Sequence, residues 1–194
     1  MIGGTFPARE SGQASPLYVF MVASLLFLGL AFFAVGQAGA TRNGAQSAAD
    51  AAALAAAKDS RDRFVLDGLD GDGFGQLFDG TLIGEDGCGA GHAYASRNGA
   101  TVQSCDALGD GRWGFRVTVR SQKPVGDTVL PGTEGDHAVA TATAVVVPRC
   151  TFERADEEDA PSPGSLECED FDLDVDPKDL PDMSDLFKVR LTED

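Results

Sequence analysis

Residues 17–36 form the first clear feature of the chain, an apolar run that contains no charged side chain. As a helix, its twenty residues rise about 1.5 Å each and span about 30 Å, the hydrocarbon thickness of a bilayer. A single segment in lipid must satisfy its own backbone hydrogen bonds, so we predict a transmembrane helix. Ser15 and Pro16 suit the N-cap and the first helical position, which leaves residues 1–15 as a short N-terminal segment.

The helical pattern continues beyond the apolar run. Residues 37–58 contain no proline and are dominated by alanine, the best helix former, so we predict one helix over residues 16–58. Small residues recur at every fourth position, and such a stripe allows another backbone to approach closely. The stripe consists of Gly36, Ala40, Gly44, Ala48, Ala52 and Ala56. We expect the specific contacts of the protein along this second half of the helix.

Strand patterns dominate the middle of the chain. Residues 113–120 alternate apolar and polar side chains, which indicates a strand with one buried face. Residues 137–147 alternate valine or threonine with alanine, and an alanine face suits packing against a helix. A short helix capped by Gly99, a strand over 100–104 and a weak strand over 128–130 complete the pattern. It predicts an α+β domain over residues 59–150, with a three- or four-stranded antiparallel sheet laid against helices.

A glycine-rich acidic loop covers residues 67–75 and invites a calcium interpretation. The EF-hand pattern fails, because counting Asp70 as the first ligand puts Thr81 at the twelfth position, where a glutamate should chelate. We therefore predict a flexible turn here.

Charge is distributed unevenly along the chain, whose formal net charge is −16. Residues 151–194 hold sixteen acidic and four basic side chains, and residues 169–176 alternate acidic with apolar types. This composition predicts an acidic, largely disordered tail, although a strand with its acidic face in solvent would give the same alternation. No basic segment is present to neutralise phosphates, which argues against a nucleic-acid partner and against a polybasic membrane anchor.

The cysteines indicate the compartment of the domain. They are Cys88, Cys105, Cys150 and Cys168, and all four follow the apolar run. None forms a Cys-x-x-Cys pair, so a zinc site is disfavoured, whereas an even number fits two disulfides in an oxidising compartment. Three pairings are possible, and sequence proximity favours Cys88–Cys105 with Cys150–Cys168.

Catalytic chemistry finds little support. A nucleophile needs a positioned base, and the chain offers only His92 and His137. It contains neither a glycine-flanked nucleophilic serine nor a phosphate-binding glycine loop with lysine. We expect a protein that is not an enzyme and needs no cofactor or metal.

One segment carries a family resemblance. Residues 9–58 resemble the N-terminal region of TadE/TadG-like proteins of the tight-adherence (Tad, or Flp) pilus assembly systems. The positions that carry it are Gly12, Gln13, Ala49, Asp50, Ala51 and Leu54. The alanine, glycine and aspartate usage is similar to that of small actinobacterial TadG-related members.

The resemblance implies a pilin-like protein with a single membrane helix, a cytoplasmic N-terminus and an extracytoplasmic domain. Its partners would be the lipid bilayer and other Tad pilus or pilin-like subunits, contacted through the N-terminal helix. Prepilin-peptidase substrates of this system carry a glutamate five residues after a glycine, whereas Leu17 stands five residues after Gly12 here. Large TadG proteins add a domain with an Asp-x-Ser-x-Ser metal motif that this chain lacks. The expectation is an uncleaved TadG-like anchor.

Two alternatives remain open. A small-x-small site ends at Ala40, so the apolar run could be a signal peptide whose cleavage releases a secreted protein. The chain could also be a membrane-tethered binding module whose acidic tail binds calcium or a basic partner.

Overall fold

The computed structural model describes residues 14–124, 135–156, 162–169 and 171–192. The elements in chain order are α1 (Ala14–Asp62), α2 (Gly71–Phe78), α3 (Cys88–Arg97), β1 (Ala100–Ala107), β2 (Gly114–Ser121), β3 (Val139–Pro148), β4 (Cys150–Arg154), β5 (Gly164–Cys168), β6 (Asp172–Asp174), α4 (Met183–Leu186) and β7 (Phe187–Thr192). The α+β prediction is confirmed. The weak strand expected over 128–130 lies outside the described residues.

Helix α1 contains 49 residues and is about 74 Å long. The prediction of one continuous helix is confirmed, although the helix begins at Ala14 and not after an N-cap at Ser15, and it extends four residues beyond the expected end. The helix ends at Asp62, where the chain turns towards the core. Leu66 is buried there, and Gly68 then adopts a positive φ of 82° that is incompatible with a continuing helix. Most described side chains in the first half of α1 are exposed, and its second half packs into a folded head formed by the described residues between 45 and 192.

The main sheet of the head is antiparallel, with the strand order β1-β2-β3-β7. Its inner face carries Phe115 and Val117 of β2, which lie opposite Ala144 and Ala142 of β3 in the register. All four side chains are buried in the same core as the alanines of α1. The predicted alternation is therefore confirmed, and the alanine face does pack against a helix.

The C-terminal region differs from the predicted disordered tail. Strand β7 completes the main sheet, and β4, β5 and β6 form a second antiparallel sheet. Leu166, Val175 and Phe187 are almost fully buried, with 1%, 0% and 2% exposure. The alternating acidic and apolar pattern is that of strands with an acidic solvent face, so the prediction of disorder is wrong for the described residues. A domain boundary at residue 150 would also divide the main sheet.

The glycine-rich acidic loop is likewise more ordered than predicted, because α2 begins inside it. The Asp70 carboxylate caps the helix by accepting a 2.8 Å hydrogen bond from the Gly73 amide. Phe74 and Leu77 are buried, and the Phe74 ring stacks on Phe152 at a centroid distance of 5.6 Å. Apolar side chains at helical spacing thus overcome the flexibility of the glycines.

Two disulfides cross-link the head, in the pairing that sequence proximity favoured. Cys88–Cys105 joins the start of α3 to β1. Cys150–Cys168 joins β4 to β5 at positions directly opposite each other in the register. Each bond closes a short segment of the chain, so each holds neighbouring elements of the head together.

Candidate membrane anchor and helix contact face

The N-terminal half of α1 exposes a large apolar surface. Within the described residues, Pro16–Phe33 is the stretch long and apolar enough to cross a membrane, with a mean hydropathy of 2.2 and none of it buried. Phe32, for example, is 77% exposed. Burying one such side chain contributes about 1.5–3 kcal/mol, so a surface of this size favours an apolar environment outside the head.

Residues 34–44 of α1 connect this stretch to the head and are called the stalk. Among the described side chains of α1, Ala45 is the first that is buried, with 2% exposure. Gly36, Ala40 and Gly44 precede it on an exposed part of the helix. A Cβ atom added at Gly36 or Gly44 would meet no atom within 4 Å. This half of the predicted small-residue stripe is therefore open to another molecule.

The other half of the stripe lies inside the head. Ala48, Ala52 and Ala56 are each 0% exposed, and α3 runs antiparallel to them. A Cβ on Gly91 would lie 3.2 Å from the Ala52 carbonyl oxygen, and one on Gly87 only 1.9 Å from that of Ala56. The backbone that approaches these alanines thus belongs to the same chain. The expectation that they contact a second protein is corrected, because the core covers them.

The motif positions of α1 also serve the packing of the head. Ala49 is fully buried, whereas Ala51 and Leu54 are partly exposed beside it. Asp50 accepts a 2.8 Å hydrogen bond from the Gln46 side-chain amide, which also donates to the Thr141 carbonyl oxygen of β3 at 3.4 Å. The motif therefore joins α1 to β3, an inner strand of the main sheet. Gly12 and Gln13 lie outside the described residues.

The far end of α1 is fastened by polar contacts that local pattern did not predict. The Trp113 indole donates a 2.9 Å hydrogen bond to the buried Ser60 hydroxyl. The Arg61 guanidinium donates at 3.0 Å to the Phe187 carbonyl oxygen, the first residue of β7. The same guanidinium pairs with Asp62. Burial acts to raise the pKa of Asp62, but hydrogen bonds from Lys58 and Arg61 outweigh it and lower that pKa below its ordinary value.

The described residues include cysteine and histidine side chains, which can act as metal ligands or catalytic groups. No group of three or more His, Cys, Asp or Glu side chains among them is arranged to hold a metal ion. The four cysteines are all consumed in disulfides. His137 contacts the Ser121 carbonyl oxygen through Nδ1 at 2.6 Å, and His92 is exposed on α3. These histidines therefore have a structural or a surface position.

Comparison with known proteins assigns the segment that contains the stalk. No curated protein and no solved structure matches the chain. Residues 12–59 match the family model described as Putative Flp pilus-assembly TadE/G-like. This range runs from just before α1 to the buried alanines and ends close to the helix terminus. The resemblance recognised in the sequence is thereby confirmed, and the protein carries a TadE/G-like Flp pilus-assembly segment over residues 12–59.

Proposed function

We propose that the protein is a membrane-anchored structural or assembly component of a Tad/Flp-type pilus or a related secretion apparatus. One observation carries the proposal. The segment that matches the pilus-assembly family forms a single helix that joins an exposed apolar stretch to a folded head. The arrangement is that of a pilin-like subunit, in which the head acts as a binding or structural module and not as an enzyme.

The apolar stretch is the membrane anchor of this proposal. Its surface fits the hydrocarbon core of a bilayer, which is about 30 Å thick, and a helix satisfies its own backbone there. The N-terminus lies in the cytoplasm and the head outside. Both disulfides are in the head, and disulfides form and persist in oxidising compartments.

The exposed half of the small-residue stripe is the proposed contact with other pilus subunits. Gly36, Ala40 and Gly44 lie between the apolar stretch and the head, where helices of neighbouring subunits would run side by side. Small residues at every fourth position allow two helix backbones to pack closely.

Anchoring is tested on the natural protein in its own cells. We expect the full chain in the membrane fraction, resistant to alkaline extraction and released by detergent. N-terminal sequencing of the mature protein should recover residues that precede the apolar stretch. A mature chain that starts at Thr41 would show cleavage after Ala40 and a secreted protein, and it would overturn the proposal.

The contact face is tested by Gly44→Leu. The head should stay folded, because Gly44 is exposed and a Cβ atom there would meet no atom of the protein within 4 Å. It prevents close helix packing, so co-purification with Tad components should fall roughly tenfold, equivalent to about 1.4 kcal/mol.

Gly39→Leu is the matched control. Gly39 is also exposed, and a Cβ there would meet no atom within 4 Å, but it lies about 140° around the helix from Gly44 and about 100° from Ala40. Co-purification should stay close to the natural level in this variant. Equal losses in the two variants, or no loss in Gly44→Leu, would count against a contact through the stripe.

A further inference from the structure

We propose that the head docks onto anionic lipid headgroups through four basic side chains at the end nearest the apolar stretch. This basic end consists of Arg42, Arg97, Arg120 and Lys123, which are all exposed. The proposal rests on the membrane anchoring proposed above and adds a lipid-binding surface to the head. It concerns the head surface and not the small-residue stripe.

The sheet register brings two of these side chains to the beginning of the head. The Gln46 amide of α1 contacts the Thr141 carbonyl oxygen of β3, so these residues lie at the same height. Arg120 pairs with Val139, two residues closer to the start of β3, and Lys123 follows just beyond the end of β2. The opposite end of the sheet lies at the end of α1, where Arg61 contacts Phe187.

Helix α3 brings the third basic side chain to the same end. It runs antiparallel to α1, since Gly87 contacts Ala56 and Gly91 contacts Ala52. Arg97, in its last turn, therefore lies towards the beginning of the head. The turn that follows is joined to the end of β2 by a 2.8 Å hydrogen bond from the Gln122 amide to the Gly99 carbonyl oxygen. Arg42 on α1 itself completes the basic end.

Ion pairing distinguishes the basic end from the rest of the head. Elsewhere, most basic side chains pair with carboxylates. The basic side chains that form these ion pairs are Lys58, Arg61, Arg63, Arg112, Arg149, Arg154 and Lys188. The structure shows no such ion pair for the four side chains of the basic end over its described ranges.

Acidic residues limit the net charge of this end. Asp136 is described there, and the connection over 125–134 adds Asp127 and Glu134 to the sequence. The far end is more acidic, because β4, β5 and β6 follow the end of β3 there and expose Glu167, Glu169, Asp172 and Asp174. The head is therefore polarised along α1, with its least acidic end towards the anchor.

The basic end also lies at a suitable height. Gln46 is thirteen residues beyond Phe33, about 20 Å along the helix. From Thr141 to Val139, at the start of β3, the strand returns towards the anchor by up to about 3.3 Å per residue, which brings the level of Arg120 to about 13 Å from that of Phe33 along the helix axis. The headgroup layer is about 6 Å thick, and charges interact over a screening length of about 8 Å. At this distance, each basic side chain should shift the equilibrium between the undocked and the docked head about fivefold towards the docked state.

The test uses amine labelling of the full chain in nanodiscs. The chain has four lysines, and Lys123 is the one at the basic end, so Lys58, Lys178 and Lys188 serve as internal references. Discs of phosphatidylcholine are compared with discs that also contain phosphatidylglycerol. We expect Lys123 to be labelled several-fold more slowly in the anionic discs, as mass spectrometry would show. The difference should vanish at about 1 M salt, where screening acts within about 3 Å.

Matched double variants assign the effect to the basic end. Arg97→Gln with Arg120→Gln should return Lys123 labelling in anionic discs to the phosphatidylcholine level. Lys178→Gln with Arg190→Gln removes the same charge from exposed positions elsewhere and should leave the protection in place. Protection that survives the first pair, or disappears equally with the second, would overturn the proposal.

Two further outcomes separate this inference from the proposed function. Equal Lys123 labelling in both kinds of disc overturns lipid docking and leaves anchoring intact. Protection by inorganic phosphate in phosphatidylcholine discs would indicate a free-anion site and also overturn it. A chain that fails to enter discs of either composition instead contradicts the anchoring on which the inference rests.

Discussion

Glycine and alanine positions in α1 and α3 decide how closely the two helices approach. Gly87 has no room for a side chain, since its Cβ would overlap the Ala56 carbonyl group at 1.9 Å. Gly89, two residues later in α3, faces open space. The glycine at the N-cap of α3 and the glycine in its first turn thus have opposite roles, and only the tertiary contacts distinguish them.

Substitution of these glycines should therefore give opposite results. Gly87→Ala forces the backbones of α1 and α3 apart, which should lower the free energy of unfolding by roughly 3 kcal/mol. Gly89→Ala meets no atom and gains helix propensity, so stability should stay equal or rise by up to about 1 kcal/mol. Denaturant unfolding of the detergent-solubilised protein, followed by the emission of the single tryptophan Trp113, measures both. A tolerated Gly87→Ala would contradict the close packing.

The elements of the head are joined where α1 ends and β7 begins. Arg61 is 8% exposed and donates to the Phe187 carbonyl oxygen, 126 residues away in the sequence. The contact links the helix that carries the anchor to the last strand of the main sheet. A buried guanidinium in a stretch with the pattern of a charged helix end thus adds a polar contact to the apolar packing between α1 and the sheet.

Removal of this contact should weaken the head. Arg61→Ala leaves the Phe187 carbonyl oxygen without its charged donor, which should cost about 2–3 kcal/mol in the free energy of unfolding. Arg63→Ala is the control, because the Arg63 side chain is 46% exposed and its contacts with Asp59, Glu85 and the Asp86 carbonyl oxygen lie at the surface, where an ion pair is worth at most about 1 kcal/mol. Urea unfolding of both variants gives the comparison. Similar losses of unfolding free energy in the two variants would show that the buried contact stabilises the head no more than the exposed ones do.

At the scale of the whole molecule, α1 belongs to two environments. Its first half is exposed and apolar, and its second half forms one wall of the core, with Ala45 as the first buried side chain among those described. A head domain that starts at residue 59 would therefore lack that wall. The folded unit begins near residue 45 and includes β7.

Fragments test this unit directly. Residues 41–194 retain the buried half of α1, so this fragment should unfold cooperatively on heating. Residues 59–194 lack the buried alanines and should show no cooperative transition, because the inner face of the sheet would be exposed to water. Circular dichroism during thermal unfolding compares the two. A cooperative transition of 59–194 at the temperature found for 41–194 would contradict the assignment of α1 to the core.

Local pattern alone could predict a large part of this architecture. The continuous helix, the alternating strands β2 and β3 and the disulfide pairing all follow from periodicity or from short separations along the chain. The family segment was also recognisable, because four of its motif positions, Ala49, Asp50, Ala51 and Leu54, lie close together in one helix. Each of these features depends on residues that are close in sequence.

Tertiary structure decided the features that depend on distant residues. The stripe of small residues has a uniform spacing, yet Gly44 is exposed and Ala48 is buried, because the head covers only one part of the helix. Strand β7 comes from a region whose acidity predicted disorder, and its pairing with β3 orders it. The sequence contains no basic segment, but the fold brings Arg97 and Arg120 to one end. Periodicity reports the local conformation of the chain, whereas burial and charge clusters arise only when separate elements pack together.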